Sequence, residues 1–572
     1  MEAMLMQYMI LAVVGVAVIV GLSTVSDRLG IASPLILMLV GVGISLLPFV
    51  GPISIKPQWI LVVLLPPLLY SAAIAVPNIE LRRDFTAVGG LAVFLVLVSA
   101  VVLGLVFHAL LPDVSMPFCV ALGAILSPTD AAATTIIKKL GVSSRVRTIL
   151  QGEALFNDAT SLVLLRTAIA ATAASVSYWG AIGEFLKAAG IAIVIGAVIG
   201  WIGVRVRRWI RPIAPASAIS LLLPFVAYIP AELVHASGLV AAVAAGIVGS
   251  QLAPKHLDAR QRSAERANWA TVEFLLEGAV FLLMGLELYG LVVSLWLNHE
   301  TLREAFGLAA LALVIVVGVR AVYIAALVFG TRRRTDRMRR GRDRLKHRHD
   351  QWRQLRADPT TPIEDSRMER HRREIEQRQA EFQHRIQEGD EPGVRRVQSR
   401  FRRLRLKISR YVSDVDYLLH EPLGAKEGVI LTWAGMRGVV TLAAAQTLPL
   451  GMPHRDLFVL IAFFVAAGSL IVQGGTLTWV IKWLRLAKPG TESVGEWIDL
   501  RDKLDQALEH WQPPEDPPMA ASAVPLARLR ARREALLELG STGAYSAETL
   551  GAALAELDAD EIGMQSRLSR EE

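Results

Sequence analysis

Ser127-Pro128-Thr129-Asp130 and, a short way on, Gly152-Glu153-Ala154-Leu155-Phe156-Asn157-Asp158-Ala159-Thr160 lie inside two apolar windows, near residues 116–137 and 152–174. Each window is long enough to cross about 30 Å of hydrocarbon. The first is interrupted, because Pro128 brings no amide donor and disfavours helix at Ser127. A charge at membrane depth costs about 2.5–3.5 kcal/mol even on a lenient insertion scale. Asp130, Glu153 and Asp158 therefore each need a reason to be there. An aspartate beside a broken helix is a hard oxygen ligand for a small cation, and burial penalises its charged form, so one carboxyl group can hold either a cation or a proton. That competition is the minimal machinery of exchange. Helical spacing puts Glu153 and Asn157 on one face, with Asp158 one step around.

Outward from this segment the chain reads as membrane. Of its 572 residues 53% are hydrophobic and 20% charged, and the mean hydropathy is +0.44. A soluble enzyme, a fibrous chain and a disulfide scaffold are excluded, the last because Cys119 has no second cysteine to pair with. Thirteen windows read as spans, near 5–26, 33–50, 59–77, 85–111, 116–137, 152–174, 181–203, 216–234, 236–251, 271–297, 304–329, 427–449 and 457–484. With the N-terminus outside, the inner loops carry 15 Lys or Arg before any long insertion, against 3 in the outer loops, which fixes that orientation. Span 1 follows Glu2 and no basic residue, so it reads as a retained span and not a signal peptide. The expected class is an all-α polytopic membrane protein: two inverted six-span repeats, spans 1–6 and 8–13, linked by span 7. The second repeat has its own interruption in span 12, at Gly435-Met436-Arg437-Gly438. Matching breaks in opposed halves point to a substrate site near the midplane.

Two arginines share the cost of burial, Arg320 in span 11 and Arg437 at the second break, and each calls for a carboxylate. Asp130 and Glu153 are the partners in reach, in either pairing. Glu273 and Glu277 in span 10 form a possible acidic funnel from the cytoplasm, while Glu287 lies near the outer boundary and reads as solvated. Arg166 snorkels toward the outer face, and His235 sits at a helix end. No phosphate loop, metal-spaced His/Cys cluster or Ser/His/Asp set is visible, so no cofactor, no catalytic residue and no ATP-driven pump are expected.

These strings, together with Phe281-Leu282-Leu283-Met284-Gly285-Leu286-Glu287 and Trp433-Ala434-Gly435-Met436-Arg437-Gly438-Val439-Val440, resemble the monovalent cation:proton antiporter family of sodium/proton exchangers. The resemblance covers about residues 5–485. It implies a homodimer in which a core of spans 4–6 and 11–13, with crossed broken helices, moves against a dimerisation domain in an elevator cycle. It further implies that Asp158 carries cation and proton, that Thr129 is a neighbouring Na⁺ ligand with Asp130 close by, and that neutral Asn157 goes with electroneutral exchange. Glu153, Arg320 and Arg437 match positions that keep core charges paired. There are departures: Pro66-Pro67 is followed by Leu68 where a glutamate is common, Glu277 stands where Asn is frequent, and Ala131 follows Asp130 where Pro is usual.

Four divisions are expected: spans 1–11 within 1–330, a basic cytoplasmic helical insertion at 331–425, spans 12–13 within 426–485, and an acidic cytoplasmic tail from 486 to 572. Residues 331–420 carry a net charge of +11 and the tail from Ala487 a net of −8. Val394, Val397, Phe401, Leu404, Ile408, Tyr411, Val415 and Leu418 follow a 3,4 spacing, an amphipathic helix that suits a second copy, anionic lipid or the acidic tail. The tail reads as regulatory or disordered. The leading reading is an inner-membrane antiporter of Na⁺, or K⁺ or Li⁺, against H⁺, in contact with lipid and without a nucleic-acid partner. The alternatives are a cation channel and a membrane-anchored scaffold acting through the basic insertion.

Overall fold

The protein is described by a computed structural model over residues 2–29, 33–47, 59–130, 132–173, 178–210, 212–297, 302–357, 417–418, 422–449, 451–486, 491–509, 511–513, 524–542 and 544–571. Their regular secondary structure is all helix, with no strand among them. Eight helices are long and apolar enough to cross a membrane, and four shorter apolar ones accompany them at Val13–Ser26, Ser33–Ser45, Ile60–Ala75 and Met116–Leu126. The amphipathic run from Val394 to Val415 lies outside the described residues.

In chain order the first helices are α1 (Glu2–Leu29), α2 (Ser33–Ser45), α3 (Ile60–Ala75), α4 (Asn78–Arg83), α5 (Phe85–Leu110), α6 (Met116–Leu126), α7 (Ala132–Lys139) and α8 (Ser144–Ala173). The chain continues through α9 (Tyr178–Trp209), α10 (Ile213–Leu233), α11 (Gly238–His256), α12 (Ala259–Leu297) and α13 (Leu302–Ala357). After the insertion come α14 (Ala425–Trp433), α15 (Val439–Gln446) and α16 (Arg455–Trp483). The tail supplies α17 (Thr491–Leu508), α18 (Val524–Thr542) and α19 (Ala547–Glu571).

Most of these helices lack a strongly one-sided apolar stripe, because lipid is as apolar as the core, and small residues set how closely they pack. Gly41 of α2 and Gly285 of α12 mark one such approach: a Cβ on Gly285 would lie 2.2 Å from the Met38 carbonyl. The main core joins α3, α5, α6, α8 and α12 to α16 through fully buried side chains such as Leu65, Leu122, Ile125, Ile430 and Phe458. A smaller core of Ala192, Leu223, Ala241 and Trp269 binds α9, α10, α11 and α12.

Two features go beyond what the sequence indicates. α13 runs unbroken from the apolar stretch through Arg332 to Ala357, so the division at 330 is a change of composition and not a break in the backbone. Arginine is a good helix former, and nothing in that stretch stops the helix. The tail has its own core, built from Leu500, Leu504, Leu536, Tyr545, Ala553, Leu554 and Leu557 of α17–α19, so over those helices it is ordered.

Candidate functional site

Both interrupted spans break where the sequence places the breaks: α6 stops at Leu126 and α7 resumes at Ala132, and α14 stops at Trp433 and α15 resumes at Val439. The two extended stretches touch, the Asp130 amide donating to the Met436 carbonyl at 2.7 Å. Four half-helix ends therefore meet at one place. The N-termini of α7 and α15 are partly positive and the C-termini of α6 and α14 partly negative.

Two side chains answer these ends. Asp130 serves the positive ones: its Oδ1 accepts from the Ala132 amide at 3.0 Å, and its Oδ2 lies over Gly438, where an added Cβ would come within 1.7 Å of it. Only glycine permits that approach. Arg437 serves the negative ones, donating from Nε to the Leu126 carbonyl at 3.3 Å and from Nη1 to the Gly435 carbonyl. Its own amide donates to Ser469 Oγ at 2.8 Å. Among the described residues no carboxylate lies within ion-pair distance of Arg437. The expectation of a carboxylate for each arginine is therefore corrected: carbonyls exposed at the helix ends take up the hydrogen bonds of Arg437.

Arg320 does pair, with Glu153. Its Nη1 donates to Oε1 and its Nη2 to Oε2 at 2.8 Å, while Nε reaches the Leu431 carbonyl at 2.9 Å. Both side chains are 1% exposed. Thr129 Oγ1 donates to Glu153 Oε1 at 3.1 Å and accepts from Asn157 Nδ2 at 2.8 Å. This chain of bonds from Arg320 to Asn157 fixes α8 against the first break.

Asp158 stands apart. It is 9% exposed, and its carboxylate has no hydrogen bond or ion pair to any described residue. It faces a cavity of about 150 Å³ that Thr129, Asp130, Glu277 and Thr441 also line. Thr441 Oγ1, in the first turn of α15, is buried without a hydrogen-bond partner among the described residues. A carboxylate with hydroxyl and carbonyl oxygens around it is a donor set for a hard cation. Among the described residues no three His, Cys, Asp or Glu side chains gather as a metal site.

Of the residues singled out in the sequence, the structure brings Asp158, Thr129 and Asp130 to one cavity. Asn157 stands behind Thr129 and does not line it, and Glu153, Arg320 and Arg437 brace the surrounding helices. Glu287 is not solvated as expected: it is 3% exposed and accepts from Gln446 Nε2 at 2.5 Å. Arg166 is half exposed and pairs with Glu232 at 3.1 Å. Sequence reasoning missed Thr441 and Ser469. Thr441 is signalled by its place three residues beyond Gly438, at the start of the second half-helix. Ser469 gives no sequence signal, since its role depends on α16 passing the second break.

Broken helices crossed at a buried carboxylate define a class of membrane carrier, and comparison with known proteins gives the family. The profile described as "Sodium/hydrogen exchanger, transmembrane" matches residues 14–340 and 406–483, and the chain belongs to that family. It is similar to a protein named an uncharacterized Na(+)/H(+) exchanger of Mycobacterium tuberculosis (strain ATCC 25618 / H37Rv), 26% identical over 478 residues, covering 82% of this chain and 73% of that one. It is also similar to the sodium, potassium, lithium and rubidium/H(+) antiporter of Bacillus pumilus (strain SAFR-032), 30% identical over 290 residues, 49% of this chain and 43% of that one. In fold it is similar to the sodium proton antiporter MjNhaP1 from Methanocaldococcus jannaschii, with a TM-score of 0.57 at 15% identity over 85% of this chain and all of that one.

Proposed function

We propose that this chain is a secondary antiporter that exchanges Na⁺, or K⁺ or Li⁺, for H⁺ at Asp158. The observation that carries the reading is the contrast among the buried charges. Glu153 and Arg320 satisfy one another, Arg437 is held by carbonyls, Asp130 caps α7 and lies against Gly438, and the Asp158 carboxylate faces the cavity without a partner among the described residues. Such a group is left free to take a cation or a proton in turn. Thr129 and Thr441 supply further oxygens, and Asn157, neutral and tied to Thr129, adds no second charge beside Asp158, which fits electroneutral one-for-one exchange. The breadth of ions in the name of the Bacillus pumilus relative supports keeping K⁺ and Li⁺ beside Na⁺.

The finer architecture belongs to the same proposal: thirteen spans in two inverted repeats, an elevator motion of spans 4–6 and 11–13 against the rest, and a homodimer in lipid. The N-terminus lies outside the inner membrane, and the basic insertion and acidic tail are cytoplasmic. The 15-to-3 loop asymmetry supports the orientation. The paired interruptions support the repeats. The carboxylate that stays free at the crossing favours a carrier over a channel.

The experiment is Na⁺ exchange in proteoliposomes between pH 5 and 9. One shared site makes the apparent KM for Na⁺ rise about tenfold per pH unit on the acid side of the Asp158 titration. The rate is bell-shaped, since protons on the opposite side grow scarce at high pH. Asp158→Asn abolishes exchange while the protein still inserts. A KM that ignores pH, or half the wild-type rate in Asp158→Asn, defeats the reading.

A further inference from the structure

Arg166 lies eight residues beyond Asp158 on α8, about two turns or about 12 Å toward the end that the proposed orientation puts outside. Its Nη1 donates to both carboxylate oxygens of Glu232, at 3.2 and 3.1 Å. Glu232, near the end of α10, is itself held, since its Oε1 accepts from the amide of Gly238, the first residue of α11, at 3.0 Å. The pair therefore ties α8, in the part proposed to move, to α10 and α11, in the part proposed to stay.

Behind the pair lies a cavity of about 390 Å³, on the same seam. Leu162, Leu165 and Arg166 of α8 line it on one side, and Tyr228 of α10 and Leu239 of α11 on the other. Among the described residues it shares no lining side chain with the cavity at Asp158. On the face of α8 that carries Asp158, Leu162 and Leu165 come next, at i+4 and i+7, and both are buried, so they plug the way between the two cavities. Toward the cytoplasm the arrangement is the opposite. The Asp158 cavity shares Thr135, Glu277 and Phe281 with a cavity of about 690 Å³ that reaches the exposed Lys139 and Lys482. The carrier is thus open inward and shut outward, and Arg166 and Glu232, 53% and 28% exposed, meet at the outer mouth. An ion pair this exposed is worth about a two- to fivefold shift in an equilibrium, enough to bias two states and too little to lock one. We propose that Arg166 and Glu232 are the outer gate of this carrier, an ion pair that holds the inward-facing state and parts when Asp158 turns to the outside.

This rests on exchange at Asp158, and its test needs no transport. Leu162→Cys is placed in the full chain with Cys119→Ala, which removes the buried native thiol. Its rate of labelling by a membrane-impermeant maleimide in right-side-out vesicles reports how often the outer plug opens. Glu232→Gln, which keeps an acceptor for the Gly238 amide, and Arg166→Gln are each expected to speed that labelling about two- to fivefold, because the bias toward the inward-facing state is lost. Arg166→Lys, which keeps the charge, labels at close to the original rate. Thr135→Cys, in the wall of the inner cavity, reports the other side in everted vesicles, and its labelling does not rise with either glutamine substitution. Unchanged or slower labelling of Leu162→Cys, equal rates in Arg166→Lys and Arg166→Gln, or a rise at Thr135→Cys, which marks a loosened fold, overturns the gate. Asp158→Asn tests the underlying reading separately: continued Na⁺ exchange in that variant defeats exchange at Asp158, whereas unchanged labelling defeats the gate alone.

Discussion

Removing the Arg320 guanidinium strands a carboxylate that is 1% exposed, and removing Arg437 strands only carbonyls, so the two arginines are expected to behave differently in double-mutant cycles. Arg320→Ala leaves Glu153 charged and alone, at a cost of about 3–5 kcal/mol, and adding Glu153→Ala recovers part of it. Arg437→Ala is also destabilising, yet Glu153→Ala or Asp130→Ala added to it recovers nothing, because neither carboxylate is its partner. Thermal melting in detergent reads both cycles; recovery of Arg437→Ala by either carboxylate mutation contradicts the carbonyl cradle. The sequence marks each of these residues, since any charge inside an apolar window stands out. It leaves the pairing open, because Arg320 and Glu153 lie 167 positions apart and only the packing of α8 against α13 and α14 brings them together. The same limit hides Thr441, whose significance comes from the cavity it faces.

The eight long apolar helices are legible in the sequence, because hydrocarbon thickness sets the length of an apolar run that crosses it. Their extensions into water are less so. The helix α13 continues past its apolar part on residues with good propensity but no apolar period, and the tail gathers a small core from leucines scattered over three short helices. On α17 of that tail, Asp499 Oδ2 accepts from Lys503 Nζ and from the Tyr545 hydroxyl, each at 2.8 Å. The Lys503 bond, and then that of Tyr545, hold the Asp499 carboxyl below its usual range, and the Asp499 bond raises Lys503. The depressed acid contributes stability above its unfolded pKa and loses it as pH falls through the folded value. The raised base contributes below its unfolded pKa and loses it as pH rises through the folded one. Both groups are about half exposed, so the pair is worth only about 0.3–0.5 kcal/mol. Pepsin sensitivity of the tail in the solubilised full chain between pH 2 and 5 checks this. Asp499→Asn is expected to show greater sensitivity than wild type near pH 5 and a smaller change as the pH falls. Matching curves contradict a role for the pair.

The tail is fastened to the membrane part at three points. The Ala547 amide donates to Glu80 Oε1 at 2.5 Å, Arg147 pairs with Glu548 at 2.6 Å, and Arg262 of α12 forks onto Asp558 of α19. Asp558 is 2% exposed and also accepts from Arg533 at 3.1 Å; Arg533 keeps Glu561 when Asp558 is removed, so Asp558→Ala leaves the buried Arg262 guanidinium without its carboxylate. The expected loss is about 3–5 kcal/mol of docking, seen as faster tryptic release of the tail with the spans intact. An unchanged release rate contradicts the fastening. No sequence pattern announces Arg262–Asp558, which are 296 positions apart. The bond that joins the two broken helices, from the Asp130 amide to the Met436 carbonyl, reaches across the molecule in another way. An amide in an extended, polar, cavity-lining stretch ordinarily trades its hydrogen for deuterium quickly; this one is held by the opposite half of the chain. Its deuterium uptake is set by how often the two halves part, which makes a single backbone position a clock for the opening of the whole carrier.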